Sequence, residues 1–183
     1  MDHTALILID IQKGFDDPAW GARNNPGAEA AAGRLLAHFR SNHLPVYHVH
    51  HVSDAKGSPL SGAGVAFKTV VAPKARETVI EKHAHSAFDG TDLAQRLALR
   101  NVRDLVICGL PTGACVSATA RDASALGLNV TVVPEACAAF TGAGEAGWET
   151  PDRPTPQAVH DAAIASLQSG IATARTLGEI LAR

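Results

Sequence analysis

Three side chains of complementary chemistry stand at the ends of three apolar stretches of the sequence. Asp10 follows the run LILI, Lys82 ends the run TVIEK, and Cys115 comes shortly after the run LVIC. The carboxyl ends of parallel strands gather at one edge of a sheet, so the topology can bring these residues together. A carboxylate can accept a thiol proton, an ammonium can hold the thiolate, and a thiolate can attack an acyl carbon. The three residues therefore predict nucleophilic attack on a carbonyl group.

The segment around the cysteine, Asp104 to Leu126, reads as a buried strand, a Gly/Pro turn and a helix. Thr112 is the predicted helix cap, which places Cys115 in the first turn, where the positive end of the helix dipole favours an ionised thiol. One apolar helix face is predicted from residues at helical spacing. These are Val116, Ala120, Ala123 and Leu126.

The remaining chain alternates between apolar strands and amphipathic helices. Strands are predicted near residues 5–11, 46–52, 78–82, 105–108, 129–133 and 171–175, and helices near 28–41, 92–100, after 112, after 155 and over the final LGEILA. Strands that are apolar throughout are typical of a parallel sheet covered on both faces. We therefore expect one α/β domain over residues 1–183, with about six mainly parallel strands in a Rossmann-like three-layer arrangement.

The composition excludes several classes of partner. The 183 residues carry 16 basic and 18 acidic side chains without a long run of one sign, which argues against nucleic acid or an anionic membrane. No apolar stretch approaches the roughly 20 residues of a membrane span, and the first residues lack a basic leader, so we expect a cytoplasmic protein. Three cysteines, an odd number without a CxxC pair, indicate reduced thiols, with Cys108 and Cys137 structural.

Three segments together resemble the isochorismatase-like cysteine hydrolases. They are LILIDIQKGF, VIEKHAHSAFDGTDL and CGLPTGACVSATARDASALGLNVTVVPEACAA. The resemblance implies a catalytic triad of Asp10, Lys82 and Cys115 on a six-stranded parallel sheet. It also implies no cofactor, a small-molecule substrate and a homodimer or homotetramer.

The chemistry implied by the resemblance is hydrolysis of an amide, lactam, carbamoyl or ureido C–N bond. Asp10 would deprotonate Cys115, Lys82 would stabilise the charged pair, and a thioester would form. The amine would leave with the proton from Asp10, and water would then release the acid. Isochorismatases proper cleave a vinyl ether without a cysteine nucleophile, so Cys115 favours the amidase branch.

The sequence departs from the family pattern at Pro111. Family members carry a cis peptide before the cysteine, and the N–H after that bond joins the cysteine N–H in the oxyanion hole. Proline favours a cis Leu110–Pro111 bond but has no N–H to donate. We therefore expect a cis bond, with the amides of Cys115 and Ala114 as the remaining oxyanion donors.

Aromatic and histidine side chains are the candidates for a substrate pocket. The predicted pocket residues are Phe15, Trp20, His50, Phe88, Phe140 and Trp148. Core packing is the alternative for the phenylalanines Phe15 and Phe88, and a subunit contact is the alternative for the two tryptophans.

Two further patterns are assigned no ligand. His48, His50 and His51 lack the Asp-x-His spacing of metal-binding family members, so we expect no metal and a strand-end or pocket-lining role. His83 and His85 are interpreted as hydrogen-bonding loop residues. The GAGEAG sequence at residues 142–147 lacks the flanking strand and helix of a dinucleotide site and predicts a mobile loop over the pocket.

Two alternatives to an amidohydrolase stay open. The first is vinyl-ether hydrolysis. The second is a binding or scaffold protein that lost catalysis with the oxyanion donor at Pro111. Rapid, selective alkylation of Cys115 would favour an enzyme, because an inert relative need not keep a reactive thiol.

Overall fold

A computed structural model describes residues 3–142 and 154–183, and within these ranges the chain forms a six-stranded sheet. The strands are β1 (Thr4–Ile9), β2 (Val46–His51), β3 (Thr78–Lys82), β4 (Asp104–Gly109), β5 (Asn129–Cys137) and β6 (Thr173–Ala174). They lie in the order β3, β2, β1, β4, β5, β6, and every neighbouring pair runs parallel. The α/β fold with a six-stranded parallel sheet is confirmed.

Five α-helices lie within the described ranges. They are α1 (Ala28–Ser41), α2 (Leu93–Leu99), α3 (Ser117–Ala125), α4 (Pro156–Leu167) and α5 (Leu177–Leu181). Crossovers between parallel strands are right-handed, so α1, which leads outward from β1 to β2, lies on the opposite face from α3, which leads the other way from β4 to β5. Consistent with this, α1 packs against α5, and α3 packs against α4. None of the helices in the described part of the chain has the length and apolar character needed to span a bilayer.

The structure corrects two details of the predicted elements. Leu126 was expected on the buried face of the helix after Cys115, but its side chain is 57% exposed. The reason is that α3 ends at Ala125 and the chain turns at Gly127, whose φ of 81° takes Leu126 off the helix face. β5 extends to Cys137 because an irregularity between Ile107 and Gly109 shifts its register against β4 and lets the pairing resume.

Glu77 joins three elements close to the start of β3. Its carboxylate accepts two hydrogen bonds of 2.6 Å from Arg40 on α1, one of 2.8 Å from the Lys74 amide, and lies 2.9 Å from Nε2 of His48 on β2. Burial would raise the pKa of Glu77, but the hydrogen bonds from Arg40 and from the Lys74 backbone outweigh it and lower the pKa to about 2. The ionised carboxylate therefore stabilises the fold.

Replacing Glu77 by glutamine should lower the free energy of unfolding by about 1–2 kcal/mol at neutral pH, because charged hydrogen bonds are lost. A carboxylate with a lowered pKa stabilises fully above its unfolded pKa, near 4.5, and loses that effect as the pH falls towards 2. The difference between wild type and E77Q in urea denaturation should therefore shrink below pH 4.5. Glu81, which is 56% exposed, supplies the matched control E81Q. Equal effects of the two variants would contradict this role.

Candidate active site

Asp10 occupies the first position after β1, in a backbone conformation that few residues adopt. Its φ is 52°, its N–H donates to Val49 O at 2.9 Å, and its carbonyl accepts from Gln12 N at 2.8 Å. Aspartate tolerates this left-handed region better than most residues with a Cβ. The turn directs a fully buried carboxylate side chain into the edge of the sheet.

Lys82 ends β3 and pairs with Asp10 away from solvent. Its Nζ lies 2.7 Å from Asp10 Oδ2, and both side chains are 0% exposed. The ammonium also donates to the Ala84 carbonyl at 3.0 Å and lies 3.4 Å from Nδ1 of His51. A buried charge requires such partners, because its loss of hydration is otherwise uncompensated.

Cys115 completes the cluster. Lys82 Nζ donates to its Sγ at 3.4 Å, and Nδ1 of His85 lies 3.7 Å from the same sulfur atom. The structure therefore brings together the three residues that the sequence selected from distant strand ends. A carboxylate, an ammonium and a thiol in contact are the components of an acid–base-assisted nucleophile.

A π-helical turn, Thr112–Val116, holds Cys115 in place. The Pro111 carbonyl accepts from the amides of Ala114 and Val116, both at 3.3 Å. Thr112 is not a helix cap as predicted, because its hydroxyl oxygen lies 2.9 Å from Nδ1 of the buried His160 on α4. Sequence reasoning missed His160, although a polar residue on the otherwise apolar face of α4 was a signal for a buried partner.

The surroundings set the ionisation of the thiol and the carboxylate. Burial, with the nearby Asp10 charge as a second cause, raises the pKa of Cys115 to about 12, while Lys82 opposes the shift. Burial also raises the pKa of Asp10 above its usual 3.8, again opposed by Lys82. The expectation of an easily ionised thiol is wrong. Loss of hydration raises the pKa of Cys115 by more than the Lys82 ammonium and the helix terminus lower it. The thiol is protonated at rest and needs a base to react.

The backbone near the sulfur atom limits the supply of oxyanion donors. The Leu110–Pro111 bond is cis, and Pro111 offers no N–H. The Ala114 amide already donates to Pro111 O at 3.3 Å. Of the two expected donors, the Cys115 amide is therefore the stronger candidate.

A cavity of about 150 Å³ opens beside the sulfur atom. It is lined by Phe15, Trp20, His51, Ser53, Ser58, Leu60, His85, Pro111, Ala114 and Cys115. The Phe15 and Trp20 rings pack in a tilted arrangement with centroids 4.6 Å apart. Phe140 stacks on Phe15 at 5.4 Å and packs against Trp20 at 5.9 Å. Phe15 and Trp20 are thus pocket residues, supported from behind by Phe140, which itself lines an adjoining cavity of about 240 Å³ that shares Pro111 and Ala114 with the first.

Two predicted pocket residues lie elsewhere, and a third falls outside the described chain. Phe88 lines a separate surface cleft with Asp122 and Leu126, because the loop after β3 turns it away from Cys115. His50 points to the other face of β2 from His51, where it stacks on Phe67 with centroids 5.2 Å apart. Trp148 and residues 143–147 of the GAGEAG sequence lie outside the described residues.

Two other histidines lie at the cavity, and their positions agree with the pocket-lining role expected among the β2 histidines and the hydrogen-bonding role expected of His85. His51 and His85 both line the cavity, and each contacts a member of the triad. His48 instead bonds to Glu77 in the core. Over residues 3–142 and 154–183, no three His, Cys, Asp or Glu side chains are grouped so as to hold a metal ion.

Comparisons with known proteins agree with this geometry. A family model described as an isochorismatase domain matches residues 4–178. The uncharacterised isochorismatase family protein YrdC of Bacillus subtilis (strain 168) is 35% identical over 182 residues, covering 98% of this chain and 95% of YrdC. A crystal structure of a Chromobacterium violaceum hydrolase of the isochorismatase family has a TM-score of 0.92 at 36% identity, with coverage of 100% and 93%. Maleamate amidohydrolase of Pseudomonas putida is 33% identical over 154 residues, covering 72% of this chain and 70% of that enzyme.

Removing one charge of the buried pair should lower the free energy of unfolding far more than removing both charges. Lys82→Met leaves the Asp10 carboxylate buried without its partner, which should cost about 3–5 kcal/mol of stability. The double variant D10N/K82M removes both charges and should recover much of that loss. Urea denaturation of the wild type, both single variants and the double variant measures the interaction free energy between Asp10 and Lys82.

The exposed pair Asp92–Arg96 provides the control. Arg96→Met should leave the unfolding midpoint nearly unchanged, because solvent screens this pair. Strict additivity of D10N and K82M would contradict a mutually dependent buried pair.

Proposed function

Because the chain belongs to the isochorismatase family, we propose that it is a hydrolase that uses Cys115 to cleave the C–N bond of a small amide, lactam, carbamoyl or ureido compound. One observation carries the proposal: Lys82 Nζ lies 2.7 Å from Asp10 and 3.4 Å from Cys115 Sγ at the wall of a ligand-sized cavity. The name of the similar Pseudomonas enzyme, maleamate amidohydrolase, supports the amide class.

The proposed first half-reaction forms a thioester. Asp10 accepts the Cys115 proton as Sγ attacks the carbonyl carbon. Lys82 favours this transfer, because its ammonium lowers the pKa of the thiol and stabilises the developing thiolate. The carbonyl oxygen acquires negative charge that the Cys115 amide stabilises, and the amine departs with the proton that Asp10 accepted from the thiol. Because burial raises the pKa of the thiol to about 12, the reaction at neutral pH needs Asp10 to accept the proton.

The second half-reaction releases the acid. Water attacks the thioester and gives a proton to Asp10, the C–S bond breaks, and Asp10 passes that proton to the thiolate of Cys115. The cavity supports a small acyl group, since about 150 Å³ holds a ligand of benzene size. The rings of Phe15 and Trp20, which form part of its wall, favour a flat or apolar group there.

Cys115→Ala should abolish amide turnover, because Cys115 supplies the one thiol among the described residues that line the cavity. Ammonia or amine release from a panel of small amides, lactams and ureides measures this. Cys137→Ala is the matched control, since Cys137 is a buried thiol that donates to the Val133 carbonyl and does not line the cavity, and the variant should keep activity. A C115A variant with full hydrolytic rate would contradict the proposal and favour vinyl-ether hydrolysis.

The pH profile should show an acid limb set by Asp10. The base must be ionised to accept the thiol proton, so kcat/KM should fall as the pH drops through the pKa of this carboxyl. Burial raises that pKa, so the limb should lie above 3.8. Steady-state assays across pH test this, and activity that persists to pH 3.8 would contradict Asp10 as the base.

A further inference from the structure

The turn that carries Cys115 requires support from outside itself. Residues Thr112–Val116 form a π-helical turn, a conformation that proteins use rarely and mostly as single turns. The Pro111 carbonyl accepts from the amides of Ala114 and Val116 at 3.3 Å each, which is slightly longer than a usual N–H···O bond. Further contacts are therefore needed to hold the turn in one conformation.

Thr112, the first residue of the turn, makes two such contacts. Its N–H donates to the Ala138 carbonyl, just after β5, at 2.9 Å. Its hydroxyl oxygen lies 2.9 Å from Nδ1 of His160 on α4. Thr112 is 0% exposed and His160 is 6% exposed, so solvent does not compete for this bond. The turn is thus fixed to β5 through its backbone and to α4 through a side chain.

His160 holds the turn from the side away from the substrate. It lines neither the cavity beside Cys115 nor the adjoining one. Burial lowers the pKa of His160, which favours the neutral ring. A neutral ring outside the cavity is suited to holding Thr112 and not to exchanging protons with a substrate.

The position of the turn matters because the supply of oxyanion donors is limited. Pro111 has no N–H, and the Ala114 amide already donates to Pro111 O. The charge that develops on the substrate oxygen therefore depends on the Cys115 amide, and such a donor must be aligned with that oxygen. If the turn shifts, the Cys115 amide moves with it, whereas the thiol can rotate and keep its contact with Lys82.

We propose that His160 is a positioning residue for acyl transfer: through Thr112 it fixes the turn so that the Cys115 amide is aligned to stabilise the charged oxygen of the acyl group. The inference rests on the proposed function. It assigns a role to a buried polar pair that the proposed reaction leaves unused.

Two reactions of the same thiol separate alignment of the amide from reactivity of the sulfur atom. Alkylation by iodoacetamide breaks a C–I bond and places no charge on a carbonyl oxygen, so it needs the thiolate alone. Acylation by p-nitrophenyl acetate forms the S–C bond, places charge on the ester oxygen and expels p-nitrophenolate. Thr112→Val removes the hydroxyl at nearly constant shape, so acylation should slow about 10- to 100-fold while alkylation stays nearly unchanged. Stopped-flow absorbance measures acylation, and mass spectrometry measures alkylation at Cys115.

Further variants separate positioning from stabilisation of the fold. His160→Leu breaks the same bond and should slow acylation as much as T112V. Each single variant leaves a buried polar group without its partner and should lower the unfolding midpoint in urea, whereas T112V/H160L removes both groups and should recover much of that loss. Acylation by the double variant should nevertheless stay as slow as in either single variant. Thr112→Ser keeps the hydroxyl and should acylate near the wild-type rate.

The matched control is a second hydrogen bond between α4 and the helix that follows the turn. Arg121 on α3 donates to the Ser166 hydroxyl on α4 at 2.7 Å, at an exposed position. Ser166→Ala removes a contact between the same two segments without touching Thr112. Both reactions of Cys115 should therefore proceed at wild-type rates in S166A.

The outcomes distinguish this inference from the proposed function. Three results would overturn the role of His160: wild-type acylation in T112V or H160L, an equal loss of alkylation and acylation, or a double variant that recovers acylation together with stability. A wild-type enzyme that is acylated at Cys115 but hydrolyses no amide in the panel would contradict only the amide class, because the acylation rates still decide the role of His160. Absence of acylation at Cys115 in the wild type would overturn both.

Discussion

The buried ion pair between Asp10 and Lys82 is the interaction on which the rest of the site depends. The two charged groups lie 2.7 Å apart and are shielded from solvent. Each charge is tolerated in this buried position only because the opposite charge compensates for its lost hydration. The pair joins the ends of β1 and β3, which are separated in the sheet by β2. Any displacement of either strand end would expose an unpaired charge to an apolar surrounding, so the electrostatics of the site also fix the register of this half of the sheet.

The same edge of the sheet holds the nucleophile because of the strand order. β1 and β4 are neighbours in the sheet, and the chain leaves them in opposite directions, through α1 and α3 on opposite faces, which opens a crevice between their carboxyl ends. Gly109 closes the distance between β1 and β4: its φ is 141°, and a Cβ there would lie 2.0 Å from Ile9 O. Only glycine allows β4 to end so close to Asp10 and lead into the turn that carries Cys115.

The sequence was most informative where a residue's position follows from topology. Asp10, Lys82 and Cys115 each end or closely follow an apolar strand, and parallel pairing alone brings such positions to one edge. Phe88 was misjudged, because it lies in the loop after β3, whose path is set by tertiary packing and not by a periodic pattern. The same loop brings His85, predicted as a hydrogen-bonding residue, to the sulfur atom of Cys115. The choice of His50 over His51 failed for a related reason, since alternation along β2 shows that they face opposite sides but not which side holds the cavity.

The ionisation of the thiol also lay beyond the sequence. A position near a helix terminus suggested a lowered pKa, but the degree of burial and the approach of the Asp10 carboxylate appear only in three dimensions. Together they raise the pKa of Cys115 to about 12, so the proposed attack requires Asp10 to accept the thiol proton. In this account the site resembles a protected nucleophile more than a permanently charged one.

The central claim is that hydrolysis proceeds through a covalent bond to Cys115. Rapid-quench mass spectrometry, with the amide that gives the fastest ammonia release, tests it most directly. A transient adduct with the mass of the acyl group should appear on Cys115, and it should form and decay at rates consistent with turnover. Turnover without an adduct, or an adduct on Cys108 or Cys137, would contradict it.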